Sequence, residues 1–202
     1  MCEQKMYILK VTLLLIFGHF ISATKYQFVP VNDDIFSDCP NKPNSTLKLN
    51  KFVDLSKMRF DGNADKIMIS GNATIVWNIQ KTDRISLTTA TYRYDRGQWY
   101  YGLLSNTDPD ICGALFDTRR LLYMYLGKFI VNKSEIKDKC FNVPGTQIVI
   151  EPFEVNMVFE YPGLPVYGLF KMELTLKAYD KQNKQVPNSV CTEIIGELIR
   201  IS

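Results

Sequence analysis

The chain has 202 residues, of which 46% are hydrophobic and 22% charged, and its formal net charge is +3. This composition is typical of globular proteins, and the length is sufficient for one substantial core. The charge is too weak and too evenly spread to indicate nucleic acid or a polybasic membrane contact, so we expect no nucleic-acid partner.

Residues 1–23 have the pattern of a secretory signal peptide. Lys5 and Lys10 precede an apolar run from Val11 to Phe20, and a Ser-Ala pair ends the segment. The run is shorter than the roughly 18 apolar residues that a membrane anchor needs, and no later stretch is long and apolar enough to span a bilayer. We therefore expect a secreted, extracellular protein of residues 24–202, folded as one domain, with no transmembrane segment.

Cleavage at this site would change the chemistry that is available to the mature protein. It would remove Cys2 and leave four cysteines, an even number that predicts two disulfide bonds in an oxidising compartment. His19, the single histidine, would also be lost. Histidine nucleophile pairs, general bases and metal ligands are then excluded, so we expect no catalytic residue, no metal and no cofactor.

Three asparagines lie in the Asn-X-Ser/Thr pattern of N-glycosylation, namely Asn44, Asn72 and Asn132. Behind a signal peptide, this pattern predicts a glycoprotein with these side chains at its surface.

The first half of the mature chain predicts strands. A polar loop that contains Cys39 leads into a strand over about 46–55. Residues 72–79 then alternate apolar with mainly polar side chains, the period of a strand with one buried face. A hairpin follows over 84–105, with its turn at 95–98.

Residues 108–129 predict one amphipathic helix. Asp108 and Pro109 are suited to its start, and Gly127 is suited to a left-handed cap at its end. Its apolar face comprises Ile111, Ala114, Leu115, Leu122 and Tyr125.

The last third of the chain returns to strands. The clearest runs from Phe170 to Ala178 with strict alternation, a turn follows at 180–184, and the final strand carries Cys191. The fold class predicted is mainly β: an antiparallel β-cup or sandwich of about seven or eight strands with one amphipathic helix.

No motif for catalysis or for a cofactor stands out. The aspartates are explained by turns, helix caps and solvated faces. The Gly97-Gln-Trp99 triplet resembles one that lipocalins carry on their first strand, but it lies too deep in the chain for that family.

The apolar side chains are more informative, because a sheet closed on one side by a helix can leave an apolar cavity. The candidate cavity residues are Trp77, Trp99, Leu115, Leu122, Tyr125, Phe170, Met172 and Leu174, and the alternative for each is a place in a filled core.

The order of these features resembles the insect CheA/CheB chemosensory proteins, which are distant relatives of the lysosomal ganglioside activator proteins. The resemblance covers about residues 30–202. It rests on "SDCP", the strand "GNATIVWNI", the cysteine-bearing "DICGALFDTRRLL", the segment that begins "CFNVPG" and a last strand that begins "VCTEIIGEL". The chain differs from the ganglioside activators in having four mature cysteines, where they have eight.

The resemblance implies a lipid-recognition β-cup that binds an apolar small molecule or lipid and has no catalytic activity. It further implies a role in gustatory or pheromone perception, with a sensory receptor as a further partner. It also implies the pairing Cys39–Cys191 and Cys112–Cys140, which the short span between 112 and 140 favours among the three possible pairings. A different class of function stays open: a secreted adhesion or receptor-partner β-domain without a ligand cavity. A cavity of about 300 Å³ would favour binding of a small molecule, and a filled core with an exposed apolar patch would favour the partner domain.

Overall fold

The computed structural model describes residues 24–201 except 33, 64 and 162–165, and it describes the backbone alone at 103 and 104. The predicted signal peptide, residues 1–23, lies outside the described residues.

Strands dominate the described chain, and short helices connect some of them. The strands are β1 (Thr24–Pro30), β2 (Ser37–Asp38), β3 (Thr46–Leu47), β4 (Val53–Gly62), β5 (Lys66–Ile75), β6 (Arg84–Asp95), β7 (Gln98–Asp108), β8 (Gln147–Asn156), β9 (Val158–Tyr161), β10 (Gly168–Tyr179) and β11 (Gln185–Arg200). The α-helices are α1 (Ile111–Phe116), α2 (Leu121–Tyr125) and α3 (Lys133–Lys139), and 3₁₀ turns are formed by Leu49–Lys51 and Gly127–Phe129.

The strands form two sheets. The large sheet has the order β7-β6-β10-β11-β1-β9, and β2 and β3 also pair with β11; the small sheet has the order β4-β5-β8. In the described part of the chain, the pairs between strands are antiparallel except that of β3 with β11. The predicted mainly β, antiparallel fold is confirmed. The strands are more numerous than expected, because β1 and β2 lie where no strand was predicted and the strand predicted over about 46–55 is divided between β3 and β4.

One hydrophobic core joins the two sheets. On the large sheet, alternation along β10 directs Leu176 and Ala178 into this core, and on the small sheet β5 directs Ala73 and Ile75 into it. The small sheet contains register shifts, one of them between Asp54 and Lys57 of β4. Such a bulge changes which residues face inward, and the apolar side chains of β4 change from odd to even positions across it.

The hairpin of β6 and β7 has the predicted turn. Arg96 and Gly97 both adopt positive φ, at 47° and 83°, as a two-residue turn between twisted strands requires. The turn after β10 is also confirmed, with Asn183 at a φ of 61°.

The prediction of one continuous helix over 108–129 is wrong. Helix α1 ends at Phe116 and α2 begins at Leu121. Between them the Asp117 carboxylate accepts hydrogen bonds from the side chain and the backbone N–H of Arg119, which lower the pKa of Asp117. The backbone of Arg120 is extended, and its guanidinium forms an ion pair with the carboxylate of the buried Asp108, with 3.2 Å between Nη1 and Oδ1. These bonds compete with the helical hydrogen bonds of the linker and divide the helix.

Gly127 does not form the predicted left-handed cap. It is buried, it begins a 3₁₀ turn, and it is not among the glycines with positive φ. A Cβ atom at this position would collide with the carbonyl oxygen of Leu115. Glycine is therefore required here because the chain passes close to the backbone of α1.

The substitution Gly127→Ala is expected to lower the free energy of unfolding by about 1–3 kcal/mol, because the added methyl group must displace the backbone of α1. Gly113→Ala is the matched control, since Gly113 is an exposed residue of the same helix. There, the new Cβ atom would meet only the Asp110 carboxylate, at 3.3 Å, so alanine should change the free energy of unfolding by no more than about 1 kcal/mol. Urea unfolding measures both values, and equal effects would contradict the close approach at Gly127.

Both disulfide bonds have the predicted partners. Cys39 is bonded to Cys191 and Cys112 to Cys140, each with a Cα–Cα distance of 5.8 Å. The first joins the segment after β2 to β11, and the second joins the first turn of α1 to the end of α3. Together they attach the N-terminal segment and the helical segment to the rest of the fold.

Candidate functional site

A cavity of about 330 Å³ lies between the two sheets. Its volume falls in the range of small-molecule binding sites, which begins at roughly 300 Å³. It is lined by Phe36, Leu49, Phe52, Val53, Leu55, Met58, Phe60, Ile69, Ala73, Ile75, Leu87, Ile111, Leu122, Tyr125, Leu126, Phe141, Ile148, Ile150, Phe153, Leu174, Leu176, Val190 and Thr192.

The chemistry of this lining is almost entirely apolar. Thr192 is the exception in the interior, and its hydroxyl donates a hydrogen bond to the backbone carbonyl of Ser37 at 2.9 Å. Tyr125 carries the other polar group, a phenol, at a position where the side chain is 68% exposed. Among the residues that the structure describes, none of those on the lining has a carboxylate or a cationic side chain. Such a surface favours hydrocarbon over any polar or charged group.

Four parts of the fold supply most of the cavity walls, and Phe36, Ile111 and Phe141 complete them. The inner face of the small sheet forms one wall, and β6, β10 and β11 of the large sheet form the opposite one. The 3₁₀ turn Leu49–Lys51 and the residues around it cover one side. Helix α2 covers another side with Leu122 and Tyr125.

The lining includes both fully buried and exposed side chains. Ile75 and Ile111 are no more than 2% exposed. Phe60 and Tyr125 are the exposed residues of the lining, and we expect an apolar ligand to enter beside one of these rings.

Three of the predicted cavity residues lie on this lining: Leu122, Tyr125 and Leu174. Trp77 and Leu115 belong instead to the packed core, where they are 2% and 0% exposed. These two residues therefore occupy the position that was given as the alternative for each candidate, a place in a filled core.

The other three predicted residues lie elsewhere on the large sheet. Phe170 and Met172 share the inner face of β10 with Leu174 but lie beyond the cavity lining. The ring of Trp99 contacts Lys171, which is on the opposite face of β10, with 4.9 Å from Nζ to the ring centroid. Trp99 therefore lies on the outside of the sheet, away from the cavity.

The sequence analysis missed the residues contributed by the loops and by the small sheet, such as Phe36, Leu49 and Phe153. Alternation within β5 could have indicated Ala73 and Ile75, because their neighbours are polar or less buried. No local pattern marks Phe36 or Leu49, since their position depends on which strand their segment contacts.

The outer face of the large sheet carries a cluster of paired charges. Lys171 lies 3.1 Å from Glu193, and both side chains are largely buried. Lys42 lies 2.7 Å from Glu173. Burial, and after it the Glu173 carboxylate, raises the pKa of Tyr92 in the same cluster. These contacts hold the segment around Lys42 against the sheet.

This cluster is not a metal site. Glu173 lies near the sulfur atoms of Cys39 and Cys191, but these sulfurs are bonded to each other and offer no thiolate ligand.

The three glycosylation asparagines differ in their surroundings. Asn44 is exposed and Asn72 is half-buried in β5. The amide nitrogen of Asn132 donates to the carbonyl of Gln147 at 2.7 Å, and its oxygen accepts from the N–H of Val149 at 3.0 Å. Asn44 therefore has the side chain most accessible to a glycan.

None of the helices in the described part of the chain has the length and hydropathy needed to cross a bilayer. Comparison of the chain with models of known protein families and with curated proteins gives no match.

Proposed function

We propose that the protein is a secreted, non-enzymatic binding protein that holds a lipid-like or hydrocarbon molecule between its two sheets. The observation that carries this proposal is the 330 Å³ cavity with its apolar lining. Burial of hydrocarbon contributes about 0.8 kcal/mol per methylene group. A chain could therefore bind well without a polar contact. Disulfide bonds, of which the fold has two, are typical of secreted proteins.

The cavity would take roughly ten methylene groups, if each occupies about as much volume as a water molecule in the liquid, about 30 Å³. The phenol of Tyr125 is exposed at the cavity lining. A polar head group of the ligand would lie beside this phenol at the surface, while its hydrocarbon chain is inside the cavity. A single-chain amphiphile or a hydrocarbon of this size is the ligand class that fits.

The substitution Leu122→Lys is expected to weaken binding of a fluorescent fatty-acid or hydrocarbon probe at least tenfold. Leu122 lines the cavity, and a cationic side chain there must lose its hydration when the ligand enters. Leu121→Lys is the matched control, because Leu121 is adjacent on α2, is 52% exposed and does not line the cavity. Its affinity for the probe should equal that of the unmodified protein.

Both variants must first be shown to be secreted and folded. Equal affinity of the two variants, or an unmodified protein that binds no apolar probe, would contradict the proposal. Native mass spectrometry of the secreted protein with its co-purified lipids would then identify the ligand.

An adhesion or receptor-partner domain is the second candidate function. It is favoured by the exposure of Leu121 and Met124 on α2, at 52% and 40%. Apolar side chains that lie together on a surface are typical of protein contacts. The same pair of variants separates the two functions, since Leu121→Lys should disrupt binding to a protein partner while leaving probe binding unchanged.

For the biological setting we propose contact chemosensation, such as perception of pheromones. Its support is the resemblance to the CheA/CheB proteins, which implied the disulfide pairing that the fold contains. Detection of the transcript in secretory cells of a taste organ would support this setting, and its confinement to other tissues would contradict it.

A further inference from the structure

We propose that the ligand extends from the enclosed cavity into a neighbouring cleft, and that Phe36 and Phe60 form the gate between the two spaces. The ligand class is then a single, uncharged hydrocarbon chain of more than about ten carbons. This inference rests on the proposed function, because it adds a preference for chain length to the same site.

The neighbouring cleft is large and mostly apolar where it meets the cavity. Its volume is about 480 Å³, and its lining is formed by Val29, Pro30, Asn32, Asp34, Ile35, Phe36, Leu55, Phe60, Gly62, Asn63, Ile67 and Met157. Phe36, Leu55 and Phe60 also line the enclosed cavity. The two spaces are therefore neighbours that share one wall.

That shared wall includes two aromatic rings in contact. The ring centroids of Phe36 and Phe60 are 6.3 Å apart and the planes meet at 74°, an edge-to-face pair. Phe36 belongs to the segment between β1 and β2, whereas Phe60 lies on β4, at the edge of the small sheet. The contact thus joins two separate parts of the chain across the boundary of the two spaces.

Phe60 has the freedom that a gate requires. It is 38% exposed and lies on an edge strand, and empty space lies on both the cavity side and the cleft side of it, so its ring has room to change rotamer. Moving this ring away from Phe36 would connect the cavity with the cleft. A bound chain that crosses the boundary would then replace the ring contact with its own methylene groups.

The dependence of binding affinity on the chain length of the ligand tests this proposal directly. The cavity alone accepts roughly ten methylene groups, and the end of a longer chain would stay in solvent, so affinity should stop rising near ten carbons if the gate stays closed. If the chain continues into the cleft, each further methylene should still tighten binding by up to about fourfold.

The experiment measures how well primary alcohols displace a fluorescent fatty-acid probe from the full-length mature protein. The alcohols have about eight to sixteen carbons, so that their lengths lie on both sides of the ten-carbon capacity of the cavity. Alcohols are uncharged, so the Asp34 carboxylate in the cleft does not repel them. For the unmodified protein we expect affinity to rise past ten carbons. Levelling at about ten carbons would overturn the proposal.

The variant Ile67→Lys tests the cleft separately, because Ile67 lines the cleft and not the enclosed cavity. It should leave the shorter alcohols unaffected and weaken the longest at least tenfold. The control is Met68→Lys, since Met68 is the next residue of β5 and is 40% exposed on the other face. If Ile67→Lys does not fold, Met157→Lys makes the same test. Equal chain-length profiles for Ile67→Lys and Met68→Lys would contradict the proposal.

The variant Phe60→Ala tests the gate. It should release a bound alcohol of about fourteen carbons at least several-fold faster, and an unchanged release rate would exclude Phe60 as the gate. Failure of the proposed function has a different signature, because then no alcohol of any length displaces the probe or the probe does not bind at all.

Discussion

Removal of the Cys39–Cys191 disulfide by the double substitution Cys39→Ala and Cys191→Ala is expected to lower the free energy of unfolding by about 5 kcal/mol. The bond joins residues 152 positions apart, and a cross-link that closes so long a loop restricts the unfolded chain strongly. A loss of this size is comparable with the whole stability of many domains. Much of the variant should therefore be unfolded at 37 °C.

The matched control is the double substitution Cys112→Ala and Cys140→Ala. That bond spans 28 positions, so the same relation predicts a smaller loss of about 3.5 kcal/mol. Unfolding by guanidinium chloride, followed by circular dichroism, measures both losses. If the loss of the Cys112–Cys140 disulfide lowered the free energy of unfolding more than the loss of Cys39–Cys191, the order derived from loop length would be wrong.

The second large effect is expected for Trp77→Ala, at about 3–5 kcal/mol of unfolding free energy. Trp77 is 2% exposed, and its ring meets Phe52 edge to face with 5.9 Å between the centroids. Replacement by alanine removes a large side chain from the core that joins the two sheets and leaves a void there.

Trp99→Ala is the comparison, since the chain contains two tryptophans and both were predicted to line the cavity. Trp99 is half-buried on the outer face of the large sheet, and its replacement removes the contacts of its ring with Lys171 and with Tyr94. We expect a loss of about 1–2 kcal/mol from partial burial and the cation–π contact. Thermal unfolding gives both values.

The Trp99→Ala variant should not change the affinity of the folded protein for an apolar probe, because the Trp99 ring lies on the outer face of the sheet and not on the cavity lining. A tenfold loss of affinity in folded Trp99→Ala would indicate that the ligand binds on the outer face of the sheet.

The features that were predictable from the sequence depend on neighbouring residues. Strand β10 was predictable because side chains on opposite faces of a strand alternate with a period of two residues, and Phe170 to Ala178 follow that period. The turn at Arg96 and Gly97 was predictable because glycine tolerates a positive φ. The number of disulfide bonds followed from the cysteine count and the expected compartment, whereas their pairing rested on the resemblance and on the short span between 112 and 140.

The division of the helix depended on tertiary contacts. The apolar face predicted within residues 108–129 suits one continuous helix, but Asp108 at the end of β7 pairs with Arg120 across 12 positions. Helical periodicity contains no information about that contact.

The cavity was likewise decided by tertiary structure. Alternation places Trp99 and Leu174 each on one face of its own strand, but only the pairing of the sheets determines which face is inside. Leu174 faces the small sheet and Trp99 faces away from it. By itself, the sequence determined a β-rich chain with apolar faces, because those faces are local patterns. The enclosed space between the sheets exists because segments far apart in the chain, such as those of Phe36 and Phe153, meet around it.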